Sequence, residues 1–210
     1  MIVISHRGYW KNVDEKNTCS AFQRSFDLDF GTETDIRDCK GELLISHDMP
    51  LGDEISLDKF LDVLAGKNLP LALNIKSDGL AVALGRVMRK HQVSDWFVFD
   101  MAVPDMKSHF DACNPVFTRM SDIEPVPAYL NESQGIWLDM FDDQWYDTAV
   151  IVSLLNRNKR VCIVSSELHK KDPSDLWSSL SVIAGHPRLL LCTDEPELAR
   201  QYFCGSMKHK

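Results

Sequence analysis

Glu33 and Asp35 stand two positions apart in the segment GTETDIRD (31–38). In a strand, that spacing puts both side chains on one face. If the face looks into a closed interior, the carboxylates repel unless a cation lies between them. Oxygen donors of this kind suit a hard divalent ion, Mg²⁺ or Ca²⁺ first. On a solvated edge strand the same pair would need no metal. His6-Arg7-Gly8 ends the first apolar run. Arg7 suits a two-pronged clamp on a phosphate, and Gly8 would allow close backbone approach. His47, in LLISHD (43–48), supplies a second histidine. Two histidines flanking an anion provide a general acid and a general base near neutral pH. Either histidine alone reads more simply as structural. Lys76, two residues after Asn74, adds a second cation.

These residues need a scaffold. Eight short apolar runs read as strands: 2–5, 32–36, 71–75, 96–100, 115–118, 135–139, 160–166 and 189–193. They are nearly continuous rather than alternating, as expected for strands covered on both faces. Helical periodicity fills most gaps: 18–28, 56–64, 79–91, 147–156, 173–183 and 196–203. The alternation predicts an α/β fold, a small (β/α)8 TIM barrel, as a single domain over residues 1–210. Helices near 102–113 and 121–132 should be short or missing. An open doubly wound sheet is the alternative, but no G-x-G-x-x-G or P-loop supports it. Barrel chemistry sits at the C-terminal ends of strands. Those ends carry His6, Arg7, Glu33, Asp35, Asn74, Lys76, Asp100, Arg119, Asp139, Glu167 and Asp194. GELLIS (41–46), which leads to His47, reads as an extra strand.

The formal charge of −8 argues against non-specific nucleic-acid binding, which needs clustered Lys and Arg. No run approaches the ~20 apolar residues of a membrane span, and MIVISHRGYW reads as a strand rather than a signal peptide. The six cysteines form no C-x-x-C pair and read as buried free thiols in a reducing cytoplasm. The tail GSMKHK (205–210) reads as a frayed end. Trp96, Trp137 and Trp177 read as packing residues, and Lys16 as solvated.

Each pair of residues is weak evidence, but their order is specific. HRGYW (6–10), EKNTCSAF (15–22), GTETDIRD (31–38), LLISHD (43–48), LALNIKSDGL (71–80) and TDEPELA (193–199) together resemble the glycerophosphodiester phosphodiesterase family. The resemblance runs from Ile2 through Pro196. Between 96 and 170 it looks more like an uncharacterised bacterial branch. It implies a TIM barrel that hydrolyses a small-molecule glycerophosphodiester, or related polyol phosphodiester, to a phosphomonoester and an alcohol. It also implies one divalent ion, Mg²⁺ or Ca²⁺ with Mn²⁺ as a further option, at Glu33 and Asp35. His6 and His47 match the catalytic acid–base pair, and Arg7 and Lys76 the phosphate-contacting cations. Two departures stand out. Asn74 occupies a position where the family commonly has a third metal carboxylate. Asp100, Asp139 and Glu167 are candidates to replace it. Glu15-Lys16-Asn17-Thr18 stands where the family often reads P-E-N-T. A lyase that stops at a cyclic phosphate, and a non-catalytic phospho-ligand-binding barrel, are the competing readings.

Overall fold

The computed structural model describes residues 1–206. The first elements are β1 (Ile2–His6), α1 (Cys19–Asp27), β2 (Gly31–Cys39), β3 (Glu42–Ile45), α2 (Leu57–Leu64), β4 (Leu71–Ile75), α3 (Ala81–Lys90), β5 (Trp96–Phe99) and α4 (Val103–Asp111). They are followed by β6 (Phe117–Met120), β7 (Gly135–Leu138), α5 (Thr148–Asn156), β8 (Arg160–Val164), α6 (Ser174–Leu180), β9 (Leu189–Thr193) and α7 (Pro196–Ser206). The strand order is β5-β4-β2-β1-β9-β8-β7-β6, with β3 beside β2. The pairs β2–β4, β4–β5, β6–β7, β7–β8 and β8–β9 are parallel. This is the (β/α)8 TIM-barrel fold that the strand–helix alternation predicts.

The chain forms two compact units: Ser5–Val116, and Met1–Ile4 with the chain from Phe117 onward. In the first unit, α1 and α2 pack through Phe22 and Phe60, whose ring centroids lie 4.6 Å apart, edge to face. Both helices begin where the sequence supplies a cap. The side chains of Thr18 and Ser56 accept the N–H groups of Ala21 and Lys59. In the second unit, Ile136, Leu138, Val161, Ile163, Leu189 and Leu191 on β7–β9 are buried. Asp147 caps α5 by accepting from Val150.

Four expectations change. β2 extends to Cys39 because β3 pairs with it antiparallel, matching Ile36 with Ile45 and Arg37 with Leu44. The extra strand thus exists, and it lengthens its neighbour. α4 is a full nine-residue helix where a short or absent one was expected. Its buried face includes Asp105 and His109, so its apolar periodicity is faint in the sequence. Only Cys162 and Cys192 are buried, while Cys113 and Cys204 are exposed. α7 runs on to Ser206, and the rest of the predicted frayed tail, 207–210, lies outside the described residues.

Candidate active site

The site is built on neighbouring strands of the Ser5–Val116 unit. Period-2 geometry places Glu33 and Asp35 on one face of β2, and the β2–β4 register sets Asn74 directly beside Asp35. Glu33 and Asp35 are almost fully buried. Two buried carboxylates on a central strand run against ordinary strand composition and need a counter-charge.

Asp35 is the hub. Arg7 Nε lies 3.0 Å from its Oδ2, and Lys76 Nζ lies 3.3 Å from its Oδ1. The Arg7 contact is an ion pair without hydrogen-bond alignment, and among the described residues Asp35 Oδ1 likewise has no hydrogen bond. Asn17 Nδ2 donates to Asp35 Oδ2 at 2.9 Å, while Asn17 Oδ1 accepts from Thr34 Oγ1 at 2.8 Å. Asn17 is therefore a site residue that chemistry-by-type overlooks. Its signal was the N-T pair before the first helix.

The arrangement revises the electrostatic inference. The counter-charge expected between the carboxylates comes in part from Arg7 and Lys76, both of which sit against Asp35. Glu33 is left less compensated. His6 Nε2 is 3.9 Å from Glu33 Oε2, and the Arg7 N–H donates to the same oxygen at 3.2 Å. Burial first, then the charge of Asp35, push the Glu33 carboxyl up to about 8.

Gly8 also has a different reason than phosphate approach. With φ at +81°, a Cβ there would sit 2.8 Å from Ala21 Cβ and 2.9 Å from Ala21 C. Gly8 lets the strand end turn sharply against α1. Arg7 itself has φ at +58° and is held by backbone bonds to Glu33 and Asn17.

His47 follows Ser46, whose N–H bonds to Asp35 O, so the added strand delivers it beside β2. Its Nδ1 contacts Asp48 Oδ1 at 2.9 Å, but both side chains are open to solvent, at 48% and 94% exposure. His47, Arg7, Lys16, Asn17 and Ser46 line one cleft of about 520 Å³. Lys16 is not simply solvated: its Nζ lies 4.5 Å from the centroid of the Trp10 ring. Trp10 Nε1 donates to His6 O at 3.2 Å. Glu15, displaced by one position from the family pattern, accepts from Lys11 N and Arg24 and has a structural task.

The donor set fits a hard cation. Glu33, Asp35 and Asn74 offer only oxygens. Asn74 Nδ2 donates to Asp100 Oδ2 at 3.3 Å, and among the described residues the buried Asn74 Oδ1 has no hydrogen bond. Two carboxylates and an amide are fewer charges than a typical site, and among the described residues no group of three or more His, Cys, Asp or Glu could hold a metal. Of the three candidate replacements, Asp100 is the one paired with Asn74.

Asp139 and Glu167 are engaged within the second unit. Asp139 Oδ1 accepts from His169 Nε2 at 2.7 Å and from Met140 N at 2.8 Å. Glu167 accepts from Ser165 Oγ, Thr193 Oγ1 and Asp194 N. His169, in VSSELH (164–169), was not singled out by type and spacing, because its carboxylate partner lies 30 residues away.

No family model matches the chain, and no curated protein matches it in sequence. Solved structures do match it. A glycerophosphodiester phosphodiesterase from Agrobacterium tumefaciens superposes with a TM-score of 0.71 at 15% identity, over 99% of each chain. An Oleispira antarctica phosphodiesterase in complex with the product sn-glycerol-3-phosphate gives 0.67 at 15% identity, over 99% of this chain and 97% of that one. A Ca²⁺-dependent phosphatidylinositol-specific phospholipase C from Streptomyces antibioticus gives 0.58 at 11%, over 96% and 95%. The chain therefore shares its fold with glycerophosphodiester phosphodiesterases from end to end.

Proposed function

We propose that residues 1–210 act as one domain, a metal-dependent phosphodiesterase. It hydrolyses a small glycerophosphodiester or related polyol phosphodiester to a phosphomonoester and an alcohol. The observation that carries this reading is the convergence of Arg7 and Lys76 on the buried Asp35, beside Glu33 and Asn74 Oδ1, which has no hydrogen bond among the described residues. Two cations and three oxygen donors on adjacent strands form a bed for a doubly coordinated anion.

Arg7 and Lys76 hold the non-bridging phosphate oxygens. His6 takes the proton of a substrate hydroxyl vicinal to the phosphate as its oxygen bonds to phosphorus, and His47, in the cleft, gives a proton to the alcohol whose P–O bond breaks. Water then opens the cyclic phosphate to the phosphomonoester. Glu33, Asp35 and Asn74 hold the divalent ion, Mg²⁺, Ca²⁺ or Mn²⁺, which when bound supplies Lewis-acid polarisation of phosphate oxygens. Free cysteines favour a reducing compartment, the cytoplasm. No helix among the described residues is long and apolar enough to cross a membrane.

The test is an activity screen of the purified chain over glycerophosphodiesters with Mg²⁺, Ca²⁺ or Mn²⁺, with and without chelator. Metal-restored release of phosphomonoester supports the reading. Phosphorus NMR of the product separates hydrolysis from arrest at a cyclic phosphate. Absence of turnover in every combination overturns it in favour of a binding protein.

A further inference from the structure

We propose that Asp105 and His109 of α4 are positioning residues for the segment that follows Lys76, and that protonation of His109 releases that segment.

α3 begins directly after this segment and has no cap of its own. Leu80 stands at its N-cap and offers no side-chain acceptor. The ties come instead from α4 and the turn after it. Asp105 Oδ1 accepts the Gly79 N–H at 3.2 Å, and Asn114 Nδ2 donates to Ala81 O at 2.9 Å. Gly79 and Ala81 bracket the start of α3, where a carboxylate also meets the helix dipole favourably. On its other side the segment is held by Ser77 Oγ, which donates to Asp38 Oδ1 at 3.0 Å.

His109 joins the two ties. It is fully buried, one helical turn after Asp105. Asn114 returns beside it because Cys113 adopts φ +57° past the helix end, and the Asn114 N–H bonds to His109 O. The Ala81 carbonyl orients the Asn114 amide, since only its nitrogen can donate there. The same nitrogen lies 3.1 Å from His109 Nδ1, which therefore accepts and carries no proton. His109 is thus neutral in this arrangement. Its proton is on Nε2, facing Asp105 Oδ2 at 3.6 Å. That gap is too long for a hydrogen bond, and neither atom has another partner among the described residues.

The cluster is held at a cost. Two facing polar atoms stay buried and unpaired, which destabilises the closed form. Gly85 interrupts α3, and a Cβ there would stand 2.6 Å from Asn114 Oδ1. A histidine that merely filled space would not require a helical glycine opposite its partner.

A proton on His109 Nδ1 sets N–H against N–H and breaks the Asn114 bond. Burial, the larger effect, already holds the imidazole below its ordinary 6.5, against the charge of Asp105, which raises it. Asp105 is the charged group that faces the ring from α4, while Lys107 and Asp111 pair with each other at the surface. From α3, Arg89 Nη1 comes within 3.0 Å of the Gly85 Cβ position, beside Asn114. In the segment itself Asp78 is exposed, and Asp100, after β5, accepts from Asn74. The opened form takes up a proton at the ordinary value and the closed form does not. Opening is therefore favoured as pH falls below about 6.5, by roughly tenfold per pH unit, until the lowered value of the closed form is reached. That Lys76 contacts phosphate rests on the phosphodiesterase reading, whereas the latch itself does not.

The experiment is hydrogen exchange of the whole chain between about pH 7.5 and about pH 5, corrected for intrinsic exchange, on wild type and His109→Gln. In wild type, protection of residues 76–82 and 103–114 should fall roughly tenfold per pH unit below about 6.5. In His109→Gln that dependence should disappear. Equal pH dependence in the two proteins, or level protection in wild type, would overturn the proposal. A fall shared equally by β7–β9 would mark global unfolding and overturn it too. Should the variant fail to fold, ¹⁵N-histidine NMR of the wild type decides: at neutral pH His109 must show an unprotonated Nδ1, and a proton there refutes the latch. Neither readout uses turnover, so a chain without phosphodiesterase activity would still show the pH step.

Discussion

Asp35, within β2, and Asp139, just after β7, are both buried carboxylates, yet they are neutralised differently. Asp35 meets two permanent cations, Arg7 and Lys76, and the Asn17 amide. The Asp139 carboxylate meets one histidine and the Met140 backbone N–H. The first arrangement concentrates positive charge and suits an anion. The second holds one histidine against a single carboxylate oxygen. A buried acid is thus defined by its partners, not by its type.

The largest effects should come from breaking the Asp35 cluster. Asp35→Asn would release Arg7 and Lys76 and remove the charge of one proposed metal donor. Turnover of a glycerophosphodiester should fall at least 10²–10³-fold, by analogy with loss of a preorganised electrostatic group. A variant retaining more than a tenth of wild-type kcat would refute the hub role.

His6→Asn and His47→Asn should each cost about 10²–10⁴-fold in kcat, the usual worth of general acid–base catalysis. Substrates with a nitrophenolate leaving group should rescue His47→Asn in part and leave His6→Asn unrescued. Equal rescue would reverse or abolish the assignment of roles.

Glu33 gives a pH test of the same cluster. Its folded-state value, about 8, lies above the ordinary 4.5. Its contribution to stability is therefore full below pH 4.5 and is lost as pH rises through 8. Chelator-treated wild type should lose stability across that window, by the order of a few kcal/mol. Glu33→Gln should remove that slope. Urea denaturation at pH 5 and pH 8.5 measures it, and parallel curves for the two proteins would contradict the assignment.

The smallest effect is expected from Asp139→Asn, which keeps a hydrogen-bond acceptor beside His169. Thermal unfolding should show a loss of about 1–3 kcal/mol, the range for one charge-assisted hydrogen bond. A loss comparable to that of Asp35→Asn would erase the contrast between the two carboxylates.

Much of the site was legible in order and spacing. His6, Arg7, Asn74 and Lys76 lie at or near the C-terminal ends of β1 and β4, and Glu33 and Asp35 lie between them on one face of β2, so alternation along each strand already implies their grouping. Their task in the reaction stays with the proposal. Asn17 was less legible, because a loop asparagine is ordinarily a cap or turn residue. α4 was faint for a different reason: its inward face carries Asp105 and His109, and polar residues there hide the apolar period.

The sequence by itself determined the strand–helix rhythm, the barrel and the set of residues at the strand ends. Those are properties of local periodicity, which depends only on neighbours along the chain. Tertiary structure alone decided which charge meets which. Arg7 and Lys76 reach Asp35, Gly8 is required by Ala21 rather than by a ligand, and Asp139 turns His169. Electrostatic partners are chosen by distance in space, and separations of 28, 41 and 30 residues are closed only when the sheet forms.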